Sequence, residues 1–91
     1  MNNPKVTAGL GWYSHEQWPE YRRLMEDEVD ETHGEWLEKA LRFEREMQQK
    51  GVEIVRVPVN LADFDFWCTV HKKKRDGTAR SEYVRDKINR K

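Results

Sequence analysis

Apolar positions along this chain change their period twice, and each change marks an element. Between Thr32 and Lys50, Trp36, Leu37, Ala40, Leu41, Phe43 and Met47 recur at spacings of three and four, the period of a helix with one face in a core. Charged residues fill the gaps. Glu35/Lys39 and Glu38/Arg42 form i,i+4 pairs of opposite sign, which support such a helix. Asp30 or Thr32 supplies its cap, Lys50 suits its last turn, and Gly51 the left-handed residue that ends it. The next stretch, Val52-Glu53-Ile54-Val55-Arg56-Val57-Pro58-Val59, is rich in β-branched residues and predicts a strand. Pro58 belongs at its end or on an edge, because it has no N–H to donate.

The flanking segments are helical again. Asn60 as N-cap and Asp63 at the third helical position start a helix running to about His71. Leu61, Phe64, Trp67, Cys68 and His71 lie along one side of it. Asp76-Gly77 marks a turn, and Thr78 then caps a last helix with Ala79, Tyr83, Val84 and Ile88 inward. Toward the N-terminus, Ser14-His15-Glu16-Gln17 has capping-box form. Pro19 argues for a start nearer Trp18 and an end near Glu26, with Trp18, Tyr21, Leu24 and Met25 on one face. Lys5–Trp12, with Gly9 and Gly11, reads as an edge strand or an irregular arm.

The expected fold is therefore α+β and mostly helical, in the order (β)-α-α-β-α-α. A minimal two-stranded sheet packs on a long helix, in one domain spanning 1–91, with 1–11 as edge strand or arm and 72–91 as a basic C-terminal helix. One strand cannot satisfy its own backbone groups. Val52–Val59 must pair with the N-terminal segment or with a second subunit, which leaves a homodimer open.

Composition adds limits. Ninety-one residues suit a single domain with a modest core. Four Trp, three Tyr and three Phe close small cores effectively. Cys68 is the single cysteine, so an internal disulfide and a cysteine-based zinc site are excluded. No apolar run approaches the ~18 residues of a membrane span. Met1-Asn2-Asn3-Pro4 lacks the basic and apolar regions of a signal peptide, so a cytoplasmic location is expected.

Net charge is zero but divided. Residues 1–50 carry 7 Lys/Arg against 11 Asp/Glu, a balance of −4, and residues 51–91 carry 10 against 6, a balance of +4. The acidic residues cluster at Glu26, Asp27, Glu28, Asp30 and Glu31. Such asymmetry steers partners rather than dictating fold.

No residue set adds up to a specific chemistry. Cys68 and His71 stand at i,i+3, but no further ligand is near in sequence, and free cysteine prefers the interior. Neither a metal nor a cofactor is expected. His15 and His33 have no nucleophile beside them in sequence, and no nucleophile elbow, phosphate-binding glycine loop or HExxH occurs. An enzyme is therefore not expected. The leading expectation is a protein-interaction domain with a protein partner, whose face combines Trp12 and Tyr13 with Glu26, Asp27, Glu28, Asp30 and Glu31. The alternative is nucleic-acid binding through 71–91, which holds 9 Lys/Arg against 3 Asp/Glu. Lys72, Lys73, Lys74, Arg75, Arg80 and Arg85 would then meet phosphates. A small enzyme of unassigned reaction is the third.

The tryptophan-rich opening (Trp12, Trp18), Trp36-Leu37, the stretch Gly51–Val57, Phe66-Trp67-Cys68 and Ala79-Arg80 together resemble a family of small uncharacterised bacterial and phage proteins. The resemblance implies compactness and carries no function. In size and charge asymmetry the chain is also similar to small phage-borne inhibitors of host defence, including anti-CRISPR proteins.

Overall fold

The computed structural model of the chain describes residues 6–89. Its elements are β1 (Val6–Trp12), α1 (Trp18–Leu24), α2 (His33–Gln49), β2 (Val52–Pro58), α3 (Leu61–His71) and α4 (Gly77–Asn89). This is the expected α+β order, and the sheet is completed within the chain. β1 and β2 form a two-stranded parallel ladder, in register from Val6 with Val52 to Trp12 with Pro58. Residues 1–5, part of the expected strand or arm, lie outside the described residues. A parallel pair cannot be joined by a tight turn; here α1 and α2 make the crossover.

Helices cover both faces of this ladder. Side chains alternate along a strand, and the alternation divides β1 cleanly. A Cβ on Gly9 would collide with Ile88 and stand 2.7 Å from Val84 Cγ1, and one on Gly11 would lie 3.3 Å from Val84. The two glycines thus let the α4 backbone approach closely. Trp12, on the opposite face, packs edge-on against Trp36 of α2 at 5.0 Å. Arg56 of β2 stacks over the Trp12 ring at 4.0 Å and forks onto Glu44 of α2 at 2.6 and 2.8 Å. α2, the sheet and α4 therefore form three thin layers. Beside them, Phe64 and Cys68 of α3 pack with Tyr83 of α4 and with α1.

Several local expectations are corrected. On α2 the buried positions are Ala40 and Glu44, whereas Leu41 and Phe43 are exposed. Positions 40 and 44 lie on one helical row, and the row ends on a carboxylate because Arg56 neutralises it. The first α-helix begins at Trp18 as expected, with Gln17 as N-cap, but stops at Leu24 rather than near Glu26. Ser14 and Gln17 do exchange hydrogen bonds of capping-box form, at 2.8 and 3.2 Å, but across a turn before the helix. Thr32 rather than Asp30 caps α2, in a reciprocal exchange with Glu35. Asp76, not Thr78, caps α4: its carboxylate accepts from Ala79 N–H at 3.0 Å and its carbonyl from Arg80 N–H at 2.9 Å. Lys39 pairs with Asp30 at 2.6 Å rather than with Glu35, and no ion pair joins Glu38 to Arg42 among the described residues. Gly51 has the left-handed φ of +82° expected of it, and Lys72 adopts φ +57° at the end of α3.

Candidate functional site

A cavity of about 860 Å³ lies between α2 and α4 and is open to solvent. That volume falls within the ordinary range for ligand sites. Its floor is aromatic. Tyr13, Trp18, Tyr21 and Trp36 all line it. Trp18 stacks on Tyr21 at 4.4 Å, Tyr13 meets Tyr21 at 4.5 Å and Trp36 at 5.3 Å, and Trp18 meets Trp36 at 5.6 Å. Burial raises the ionisation of the Tyr13 and Tyr21 phenols above the ordinary tyrosine range. Both remain neutral hydroxyls at physiological pH.

The rim is acidic. Glu28, Asp30, Glu31 and Glu35 line the cavity, against Lys39 and Arg80. Both cations are already engaged. Lys39 donates to Asp30, and Arg80 forks onto Asp27 with two bonds of 2.9 Å while also contacting Met25 Sδ at 3.0 Å. That fork, with the Arg80 charge, holds the Asp27 carboxyl below its usual range. Glu28 and Glu31 have no hydrogen-bond or ion-pair partner among the described residues. The rim is fixed to the floor by Trp18 Nε1–H, which donates to the Asp30 carbonyl at 3.1 Å.

Of the residues expected to bind a protein, Tyr13, Glu28, Asp30 and Glu31 line the cavity, and Trp12, Glu26 and Asp27 do not. Tyr13 is 4% exposed, so its ring is part of the floor rather than a projecting anchor. Trp12 is half-buried against Trp36 and Arg56. Of the acidic run, Glu26 accepts from Arg75 N–H at 2.9 Å, and Asp27 holds Arg80. Glu28, Asp30 and Glu31 face the cavity.

The same contacts dismantle the basic segment as a single patch. Arg75 is bound to Asp65 at 2.7 Å, Arg80 to Asp27, Lys73 to Glu82 at 2.7 Å, and Lys87 to Asp63 at 2.9 Å. Among the described residues no carboxylate pairs with Lys72, Lys74 or Arg85. The two charge halves of the sequence therefore meet along the 26–27 and 75–80 seam and partly cancel.

The other candidates sit apart from the cavity. Cys68 is fully buried, which pushes its thiol ionisation up, and its Sγ lies 3.9 Å from the Lys74 carbonyl. His71 Nδ1 approaches the Trp67 carbonyl at 3.0 Å. His15 and His33 are neighbours at 5.7 Å, and His33 Nε2 bonds the Tyr13 carbonyl at 2.8 Å. Among the described residues no group of three His, Cys, Asp or Glu could hold a metal ion.

Sequence reasoning placed Gly9 and Gly11 in an edge strand or arm, but did not bring them together with Arg80, Ser81 and Val84 of α4 as walls of a cavity. Two glycines inside a strand pattern were the available signal, since they mark a close approach of something else. Comparison with protein-family models, curated proteins and solved structures finds no match to this chain.

Proposed function

We propose that the chain is a non-enzymatic protein-interaction domain whose groove receives a basic segment of a protein partner. One observation carries this reading: Glu28 and Glu31, unpaired among the described residues, stand on the rim of a cavity floored by Tyr13, Trp18, Tyr21 and Trp36. Aromatic floors supply contact area at low entropic cost, and unmatched rim charge steers partners of opposite sign. A small inhibitor that covers a basic, nucleic-acid-binding surface of a host protein would need a face of this kind. Nucleic acid as the direct ligand fits less well, because Lys73, Arg75, Arg80 and Lys87 are engaged by carboxylates.

The test uses a seven-residue oligolysine peptide and the fluorescence of Trp18 and Trp36. Binding is expected to weaken with salt and to fall at least about fivefold, roughly 1 kcal/mol, in the Glu28→Lys/Glu31→Lys variant. Equal binding to variant and parent would refute the reading.

A further inference from the structure

The groove has a third wall, which is backbone. Val59 N–H donates to the Trp12 carbonyl at 3.1 Å, so the polar groups of Trp12 point toward β2. In a parallel ladder a residue's N–H and C=O point to the same side, and the side alternates along the strand. Leu10 therefore also faces β2, while Gly9 and Gly11 face away. Both glycines line the cavity. Among the described residues the sheet contains no strand beyond β1 and no hydrogen bond from elsewhere reaches the Gly9 or Gly11 backbone. The opposite edge of the sheet is blunted: Pro58, which has no N–H, sits at an outward-facing position of β2. The β1 edge has no such device. It runs uncharged through Val6-Thr7-Ala8-Gly9-Leu10-Gly11-Trp12.

We infer that an extended, lysine- or arginine-bearing peptide segment of the partner adds to β1 as a third strand. This rests on the reading of the groove as a basic-segment site, and specifies its geometry. An added strand would lie between α4 and α2, continuing the layers that already enclose the sheet. Alternate side chains of the peptide would face Ser81 and Val84 on one side and Glu35 and Trp36 on the other, residues that line the same cavity. Backbone pairing supplies affinity in this mode, and alternate side chains supply selectivity. The charge argument also chooses between occupants. A second copy of this chain on the same edge would bring its own Glu28 and Glu31 against the first pair, whereas a basic strand neutralises them.

The experiment uses acetylated heptapeptides of alternating lysine and valine, unmodified or N-methylated on one alternate set of amides at a time. Amide exchange is read by NMR on the full chain. A strand bonds β1 through only one of its own edges. Methylating one set is therefore expected to weaken binding at least about tenfold, and methylating the other to change it less than about threefold. The unmodified peptide is expected to slow exchange at Gly9 and Gly11 by about tenfold or more and to leave Leu10 unchanged. Binding that depends on Glu28 and Glu31 but is indifferent to either methylation would overturn strand addition while leaving the groove reading intact. No binding tighter than about 1 mM overturns both. Protection of Gly9 and Gly11 that rises with protein concentration alone would assign the edge to a second copy and overturn the proposal.

Discussion

Replacing Arg80 by alanine should release the segment that carries the acidic rim. Arg80 leaves α4 and closes a two-pronged bond onto Asp27, both arms 2.9 Å, while lying 5.6 Å from the centre of the Tyr21 ring. Hydrogen bonds to charged groups contribute about 1.5–3 kcal/mol each, and breaking a fully buried pair costs about 3–5 kcal/mol. The Arg80 and Asp27 side chains keep 19% and 32% of their exposure. Water can therefore reach the orphaned carboxylate, and the lower figure applies. The expected loss is about 2 kcal/mol, or roughly 10 °C in Tm for a domain of this size. Urea unfolding followed by tryptophan fluorescence measures it.

The acid limb provides an independent check. Arg80 depresses the Asp27 carboxyl in the folded chain, so this contribution is fully present above the unfolded carboxylate value of about 4 and is lost as pH falls through the lower folded value. Asp27→Asn should lose stability at pH 7 and show a flatter decline below about pH 4 than the parent. A loss below about 0.5 kcal/mol for Arg80→Ala, the ordinary range of surface substitutions, with an unchanged acid limb in Asp27→Asn, would refute the account of this clamp.

Two further outcomes follow from packing. Gly9→Val should destabilise the fold by about 1–3 kcal/mol through overpacking, because its Cβ would meet Val84 and Ile88; parent-like denaturation would show that α4 does not press on β1 there. The Cys68 thiol, fully buried and with its ionisation raised by desolvation, should react with a disulfide reagent at pH 8 on the order of a hundredfold more slowly in the native state than in guanidinium. Comparable rates would place the thiol at the surface.

Much of the fold was legible because its signals are local. Gly51 at the end of α2, Asn60 before α3 and the β-branched run of β2 each announce themselves within a few residues. What the sequence hid depends on distant partners. Glu44 reads as a solvent-facing charge in any helical pattern, and only Arg56 on a neighbouring strand makes it an inward residue. The same misreading turns Phe43 and Leu41 inward, although both are exposed. The groove is harder still to foresee. It is assembled from 9–13, 18–21, 28–39 and 77–84, and no periodicity relates those stretches. The acidic run was visible, but not which of its members were already committed: Asp27 to Arg80 and Glu26 to Arg75, against Glu28 and Glu31 facing the cavity.

The parallel ladder has a consequence for how the chain is made. Every pair in it lies 46 positions apart, from Val6 with Val52 to Trp12 with Pro58. As the protein leaves a ribosome, its first strand must wait until the residues after Gly51 emerge. Among the described elements no strand precedes β1, and α4, which seals one face of it, is the last of them. Closing so long a loop costs chain entropy that is recovered only when both strands and α4 are in place. Fragments ending before Val52 should therefore retain little beyond fluctuating helix. With all six elements available, the domain should fold in one cooperative step, at a rate set by the meeting of β1 with β2 and α4.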